Sequence, residues 1–367
     1  MKKIALIGST GSIGVQVLNA VRRHPNSFKI VALAADNNSK DFQRQVKEFS
    51  PLIFAAASEN KTAALKCAEC EEANIVFNAV SGFAGLEYSI KAINAGKNLA
   101  LANKETLVCG GELVTKLAAA KGVEIIPVDS EHSAIWQCLG YDRKASFKKL
   151  IITASGGAFR GYTAEQLEKV TPAQALNHPT WKMGKKITVD SATLMNKGYE
   201  VIEAHELYNA PYSKIETVIQ PTSVVRSLVE FADGAVMAQM GTPDMEVPVQ
   251  LALTYPKRMT TAAKPLSFKA ALSLEFIPMK KKEYPLFDLA VECGKEGGTL
   301  PCALNAADEV AVKAFLDGKI KFTDIYTAVS QVMSTTVRDE IVSYKQLAEA
   351  DRAARWKAQK LIYKLSK

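Results

Sequence analysis

Ile4-Ala5-Leu6-Ile7-Gly8-Ser9-Thr10-Gly11-Ser12-Ile13-Gly14-Val15 is the stretch that decides the fold. Four apolar residues predict a short strand. Glycines at every third position predict a tight turn, and Val15 to Arg23 carries helical spacing. Strand, glycine-rich turn and helix in that order let backbone N–H groups approach a pyrophosphate at the helix N-terminus, where the peptide dipoles favour an anion. The G-x-x-G-x-x-G spacing is a relative of the more common G-x-G-x-x-G dinucleotide motif.

Outward from that turn, short apolar runs recur at Ile30–Ala35, Leu52–Ala55, Ile75–Val80, Leu99–Ala102 and Val123–Val128. Helical patterns such as Asp41–Phe49 and Gly85–Ala95 lie between them. Alternation of this kind predicts an α/β domain with a parallel, Rossmann-like sheet and right-handed crossovers. Ligands of such sheets sit at the carboxyl ends of the strands. Asn103-Lys104-Glu105 follows one such end and Asp129-Ser130-Glu131 another, and both are candidates for chemistry. The second strand ends in Ala35-Asp36-Asn37-Asn38, where the ribose of a dinucleotide is usually read; an acid there suits NAD and a base suits NADP. Gly8, Asn37 and Asn38 are therefore candidate cofactor contacts.

The bulk properties limit the alternatives. A chain of 367 residues is long for one core and predicts two or three domains. The net charge of +8 comes from bases spread along the chain, which suits an anionic small substrate; no nucleic-acid recognition module accompanies it. No apolar run approaches the roughly 20 residues of a membrane span. Lys2-Lys3 and the apolar run after them mimic a secretory start, but glycine interrupts too early. Cys67 and Cys70 form a lone C-x-x-C, which predicts two residues on one helix face rather than a zinc site. These features fit a soluble protein of the reducing cytoplasm, with no membrane or nucleic-acid partner.

The middle third carries the remaining candidates. On an extended segment, Asp129 and Glu131 point to the same side and offer hard oxygen ligands, which favour magnesium or manganese over zinc. A third ligand has to come from elsewhere, and Glu200 is a candidate. In Ser191-Ala192-Thr193-Leu194-Met195-Asn196-Lys197-Gly198-Tyr199-Glu200, Ser191 can cap a helix that places Asn196 and Glu200 at i and i+4 on one face. A serine, an amide and a lysine there read either as an ordinary capped surface helix or as a phosphate site. Thr153-Ala154-Ser155-Gly156-Gly157 supplies a second turn able to hold an anion. His178-Pro179-Thr180-Trp181-Lys182-Met183-Gly184 reads either as a mobile lid or as a loop anchored by a packed tryptophan.

Beyond Pro256–Glu283, which lacks periodicity, the runs Leu286–Cys293, Leu304–Leu316, Phe322–Val332 and Tyr344–Leu365 have helical spacing. The expected organisation is a dinucleotide-binding domain over 1–129 and an α+β catalytic, metal- and substrate-binding domain over 130–255 with a lid near 176–186. A linker over 256–283 and a C-terminal helical domain over 284–367 complete it.

Taken together, GSTGSIG at 8–14, LANKE at 101–105, PVDSEH at 127–132, Ser155-Gly156-Gly157, His178-Pro179, VDSATLMNKGYE at 189–200, GTPDM at 241–245 and ALNAADE at 303–309 resemble the 1-deoxy-D-xylulose-5-phosphate reductoisomerase family. The blocks keep the family's order over nearly the whole chain. The resemblance implies conversion of 1-deoxy-D-xylulose 5-phosphate to 2-C-methyl-D-erythritol 4-phosphate, the first committed step of the non-mevalonate isoprenoid route. It implies NADPH and a divalent cation, Mn2+ or Mg2+ with Co2+ as a further candidate, and a homodimer. By the same resemblance Asp129, Glu131 and Glu200 are metal ligands, and Lys104 and Ser130 contact the substrate oxygens. Ser155, His178, Ser191, Asn196 and Lys197 form the phosphate pocket, and Trp181 is the lid residue over the substrate. Thr10, Gly11, Ser12, Ile13, Asn103, Glu105 and Gly184 contact the cofactor. Asp36 and Asn37 stand where the family often has a small residue and a base. Competing readings are a two-domain dehydrogenase of the semialdehyde or homoserine type, which needs no carboxylate metal site, and a dinucleotide-sensing or nucleic-acid-binding protein.

Overall fold

The computed structural model describes residues 1–366, apart from the side chain of Lys281. The chain begins β1 (Lys2–Ile7), α1 (Ser12–Arg23), β2 (Phe28–Ala35), α2 (Lys40–Phe49), β3 (Ile53–Ala56), α3 (Lys61–Ala68), β4 (Ile75–Asn78), α4 (Ala84–Asn94), β5 (Asn98–Leu101), α5 (Glu105–Lys121), β6 (Ile125–Pro127) and α6 (Ser130–Cys138). It continues through β7 (Lys149–Ala154), α7 (Ala164–Leu167), α8 (Pro172–Ala175), α9 (Lys185–Thr193), α10 (Met195–Tyr208), β8 (Ile215–Ile219), β9 (Val225–Glu230), β10 (Val236–Met240) and α11 (Glu246–Thr254). It ends with β11 (Ile277–Pro278), α12 (Pro285–Glu296), α13 (Leu300–Leu316), α14 (Phe322–Ser334) and α15 (Tyr344–Leu365). Two compact units result: Met1–Leu107 with Glu112–Ser133 and Asp244–Lys264, and Val108–Gly111 with Ala134–Pro243 and Pro265 onward.

The first unit holds a six-stranded sheet in the order β3-β2-β1-β4-β5-β6. Every pairing in it is parallel. Ile4 to Ile7 are fully buried, as expected of a central strand covered on both faces by crossover helices. The strand order reverses between β1 and β4, so the loops after these two strands flank the switch-point crevice of an open α/β sheet. α11 returns late in the sequence to close this unit. Its Glu246 pairs with Arg23 at 2.9 Å, and the Leu253 carbonyl accepts from Lys2 Nζ at 2.7 Å. Cys67 lies in α3, but Cys70 falls just beyond that helix, so the pair does not share one helix face. All six cysteines are buried free thiols.

The second unit holds a five-stranded mixed sheet in the order β10-β9-β7-β8-β11, with β7 parallel to β8 and antiparallel to β9. Its helical part is α12 to α15, where Leu304, Phe315, Val329 and Ala358 are buried among themselves and their neighbours. Among the described residues, no helix is long and apolar enough to cross a membrane.

Candidate active site

In the first unit the glycine-rich turn is built for close backbone approach. Gly8 has φ +85°, a left-handed value that glycine adopts without strain, and a Cβ there would lie 2.6 Å from the Ala79 carbonyl oxygen. Gly14 packs its Cα against the same turn, where a side chain would meet Gly8 and Ser9 backbone. Gln45 Nε2 donates to the Ser9 carbonyl at 3.1 Å and steadies the loop from α2. Gly11 is the N-cap of α1, no side chain caps that end, and the first turn contains no acid. The first N–H groups of a 12-residue helix are thus left for a ligand, next to exposed Gly11 and Ser12 and half-buried Thr10 and Ile13. Asn37 and Asn38 are exposed after β2, and Asn37 Nδ2 donates to Asp36 Oδ2 at 2.8 Å.

At the ends of β5 and β6 the same unit gathers charge. Asn103 is buried; its amide donates to the Gly82 carbonyl at 3.0 Å and to Glu105 Oε2 at 2.8 Å, while its oxygen accepts from Thr106. Lys104 Nζ pairs with Asp129 Oδ2 at 2.9 Å, both side chains being about nine-tenths buried. Asp129 Oδ1 accepts the Glu131 N–H at 3.2 Å and lies 3.2 Å from His132 Nδ1. Burial alone would raise the Asp129 carboxyl, but the Lys104 ammonium and the His132 ring outweigh it and hold the group well below the usual carboxylate range. Ser130 Oγ donates to Glu131 Oε2 at 2.5 Å. One expectation is corrected here. Asp129-Ser130-Glu131 is not an extended segment, because β6 stops at Pro127 and α6 begins at Ser130. Asp129 instead caps that helix, and its carboxylate accepts from the first turn.

The second unit gathers the expected phosphate groups. His178 Nε2 lies 3.0 Å from Ser155 Oγ and 3.1 Å from Ser191 Oγ, and the two hydroxyls are 3.5 Å apart. The backbone N–H groups of Thr180 and Trp181 both donate to His178 Nδ1, at 3.2 and 3.0 Å. That fixes the tautomer with the proton on Nε2, aimed at the serines. Burial lowers the His178 pKa, consistent with a neutral ring. Gly156 and Gly157 take φ of +87° and +69°, letting the turn after β7 fold back beneath Ser155. Ser191 does not cap a helix, contrary to expectation: it lies inside α9, and the break falls at Leu194, with φ +56°. The helix that follows, α10, does place Asn196 and Glu200 on one face, with Asn196 Nδ2 donating to Glu200 Oε1 at 2.5 Å. Lys197 Nζ pairs with the other Glu200 oxygen, and both side chains are almost fully buried. Gly184 is the N-cap of α9.

Trp181 lies beneath a cation: the Arg226 guanidinium is centred 4.3 Å above its ring, and Arg226 Nη2 donates to the Thr242 carbonyl at 3.2 Å. Arg226 is a contact that sequence reasoning missed, since a single arginine inside the strand Val225–Glu230 carries no periodic signal.

Residues 4–70 and 60–111 match the family model described as 1-deoxy-D-xylulose 5-phosphate reductoisomerase, and residues 125–208 match the one for its C-terminal domain. Residues 240–357 match a further model described as DXP reductoisomerase C-terminal domain. The 1-deoxy-D-xylulose 5-phosphate reductoisomerase of Pelotomaculum thermopropionicum is 47% identical over 382 residues, covering 99% of each chain. The chain belongs to the 1-deoxy-D-xylulose 5-phosphate reductoisomerase family. The Thermodesulfovibrio yellowstonii reductoisomerase is 43% identical over 99% of this chain and 100% of its own. Among solved structures, a DOX-P reductoisomerase in complex with NADPH, fosmidomycin and magnesium matches with a TM-score of 0.93 and 36% identity over the full length of both chains. The reductoisomerase of Zymomonas mobilis in complex with NADPH matches with a TM-score of 0.90 and 36% identity, over 98% of this chain and 99% of that one.

Proposed function

We propose that this reductoisomerase-family chain isomerises 1-deoxy-D-xylulose 5-phosphate and reduces the product with NADPH to 2-C-methyl-D-erythritol 4-phosphate. The observation that carries the reading is the Ser155–His178–Ser191 cluster, three polar groups within 3.5 Å of one another beside a glycine turn, in a chain whose family is that of the reductoisomerases. Such a cluster fits a phosphate monoester: the serine hydroxyls and the imidazole Nε2–H donate to its oxygens. Asn196 and Lys197 extend the pocket along α10.

The residue chemistry fits both cofactors. Uncapped N–H groups at the start of α1 suit a pyrophosphate, with Gly8, Thr10, Gly11, Ser12, Ile13, Asn37, Asn38, Asn103, Glu105 and Gly184 as the proposed NADPH contacts. Asp129, Glu131 and Glu200 are the proposed ligands of a divalent cation, an oxygen-only set that suits Mg2+ or Mn2+. When bound, the cation supplies Lewis-acid polarisation of the substrate's carbonyl and hydroxyl oxygens, and NADPH supplies the hydride. The chain's own residues supply position. Lys104 and Ser130 orient the oxygenated carbons, the phosphate cluster holds the anionic end while the carbon skeleton is rebuilt, and Trp181 covers the substrate and excludes water.

The enzyme is read as cytoplasmic, since six buried free thiols suit a reducing compartment. It is read as a homodimer, since the edge strand β10 exposes Val236, Met237 and Met240.

NADPH oxidation with 1-deoxy-D-xylulose 5-phosphate and Mn2+ or Mg2+ tests the reading. Turnover is expected, and it stops on chelation. Glu200→Gln is expected to lower turnover by about a hundredfold or more, as loss of a metal ligand does, with NADPH binding unchanged. No turnover with any divalent metal, or equal loss of turnover and NADPH binding in Glu200→Gln, would reject it.

A further inference from the structure

The first turn of α9 carries a charge cluster that the proposed chemistry does not use. Lys186 Nζ donates to Asp190 Oδ2 at 2.6 Å, within the same helix, and to Asp308 Oδ2 at 2.7 Å, in α13 of the helical region. The Lys186 ammonium also sits 5.4 Å from the centre of the Tyr199 ring on α10. Asp190, Tyr199 and Asp308 are 3%, 1% and 0% exposed. The second oxygen of Asp308 has no hydrogen-bond partner among the described residues, so Lys186 alone compensates that carboxylate. Buried charges are retained only when paired, and removing one partner leaves the other uncompensated in a poor solvent for ions. Lys186 therefore cannot leave this place without stranding the Asp308 carboxylate on α13.

The position of this cluster in the chain gives it a consequence. Lys186 is the second residue of α9, directly after the segment 176–184 that carries His178 and Trp181. Asp190 precedes Ser191, which bonds His178. Tyr199 precedes Glu200. Three helices that carry or flank the site thus meet at one ammonium group.

We propose that the Lys186–Asp308 pair anchors the C-terminal end of the 176–186 segment, and that Asp308 is a positioning residue that holds Ser191, and through it His178, in place to bind the substrate phosphate. The proposal rests on the phosphate reading of Ser155, His178 and Ser191. It gives the helical region a defined role, in which α13 supplies the fixed counter-charge, so that movement of the lid is confined to residues before Gly184 while α9 stays still.

Asp308→Asn keeps the shape and removes the charge. Its expected effect is a rise in KM for 1-deoxy-D-xylulose 5-phosphate of about tenfold, with kcat within about twofold, as for lost positioning of a binding group. Binding of inorganic phosphate weakens in parallel, NADPH binding is unchanged, and Asp308→Glu restores most of the KM. Lys186→Arg, which keeps the charge but alters its reach, serves as the second variant, with a smaller rise in KM. The Asp308→Asn/Lys186→Met double variant loses no more than the worse of its parent single variants, Asp308→Asn and Lys186→Met, because both act through one contact. A lower Tm with unchanged KM in Asp308→Asn and Lys186→Arg, or additive losses in the double variant, would overturn the anchor. Ser191→Ala separates the two ideas. If it raises KM while Asp308→Asn does not, the anchor is wrong and the phosphate pocket stands; if it leaves KM and phosphate binding unchanged, the phosphate reading itself is wrong.

Discussion

His178 shows how the backbone around a single residue fixes its protonation. Two N–H groups point at Nδ1, so protonating that nitrogen means turning two donors toward a third. Burial already lowers the ring's pKa below the ordinary histidine value near 6.5. The unfolded chain takes up a proton at the ordinary value and the folded chain only at a lower one. The stability that neutral His178 contributes is therefore fully present above about pH 6.5 and is lost as pH falls through the folded value. Denaturant midpoints measured from about pH 7.5 down to 5.5 should fall, and His178→Gln should flatten part of that fall. Bound inorganic phosphate should shift the His178 titration upward in an NMR experiment, because a dianion favours the imidazolium. Asp36 works by charge in the same way. Its exposed carboxylate follows β2, where the ribose end of a dinucleotide is usually read, and at that place it would repel a 2′-phosphate. Removing a charge at such a site is worth about 1 kcal/mol in water. Asp36→Asn should therefore tighten NADPH several-fold and weaken NADH in side-by-side fluorescence titrations. Equal changes for both would show that Asp36 does not face the phosphate.

At the scale of elements, the glycine turn was legible because local backbone chemistry dictates it. Gly8 needs its left-handed φ, and Gly14 lets α1 lie against the turn. In Gly14→Ala the new methyl would sit 2.7 Å from Ser9 Cα and collide with the Gly8 carbonyl, so α1 must move away from β1. Overpacking of this kind costs about 1–3 kcal/mol, and it also displaces the N-terminal end of α1, the proposed pyrophosphate site. A lower Tm together with weakened NADPH binding is expected from melting curves and titrations, with inorganic phosphate binding unaffected. The strands of the first sheet were readable for a similar reason, since each is a short apolar run followed by its own helix. The second sheet was not. β7 pairs with β8 across 60 intervening residues and with β9 in the opposite sense, and nothing local in Lys149–Ala154 announces either partner. The same limit explains two of the local errors. Asp129 and Ser191 both look like cap or strand residues in isolation, but a helix start is set by where the preceding strand ends, and a helix break by a residue such as Leu194 in left-handed conformation. Lys186 and Asp308, 122 residues apart, meet only through tertiary packing.

For the whole molecule, the homodimer reading rests on one edge. β10 has a neighbour on one side only, β9, and its outer row of N–H and C=O groups is accompanied by exposed Val236 and Met237, each 51% accessible. Natural sheets blunt such edges with charge, proline or bulges. Here a register shift between Gln239 and Met240 bends the end of the strand, but its first half stays regular and apolar. An uncovered apolar edge is a liability in a monomer and an asset in a symmetric pair, where the same patch on each copy covers the other. The homodimer reading therefore predicts that light scattering on the eluting protein gives twice the mass of one chain. Met237→Glu places a charge in the proposed interface and should shift the protein toward monomer, with the Tm dropping as concentration falls. NADPH binding should survive, because β10 carries none of its proposed contacts. A dimer that persists unchanged in Met237→Glu would mean that subunits pair elsewhere, and a monomeric wild type would leave the β10 edge without a partner.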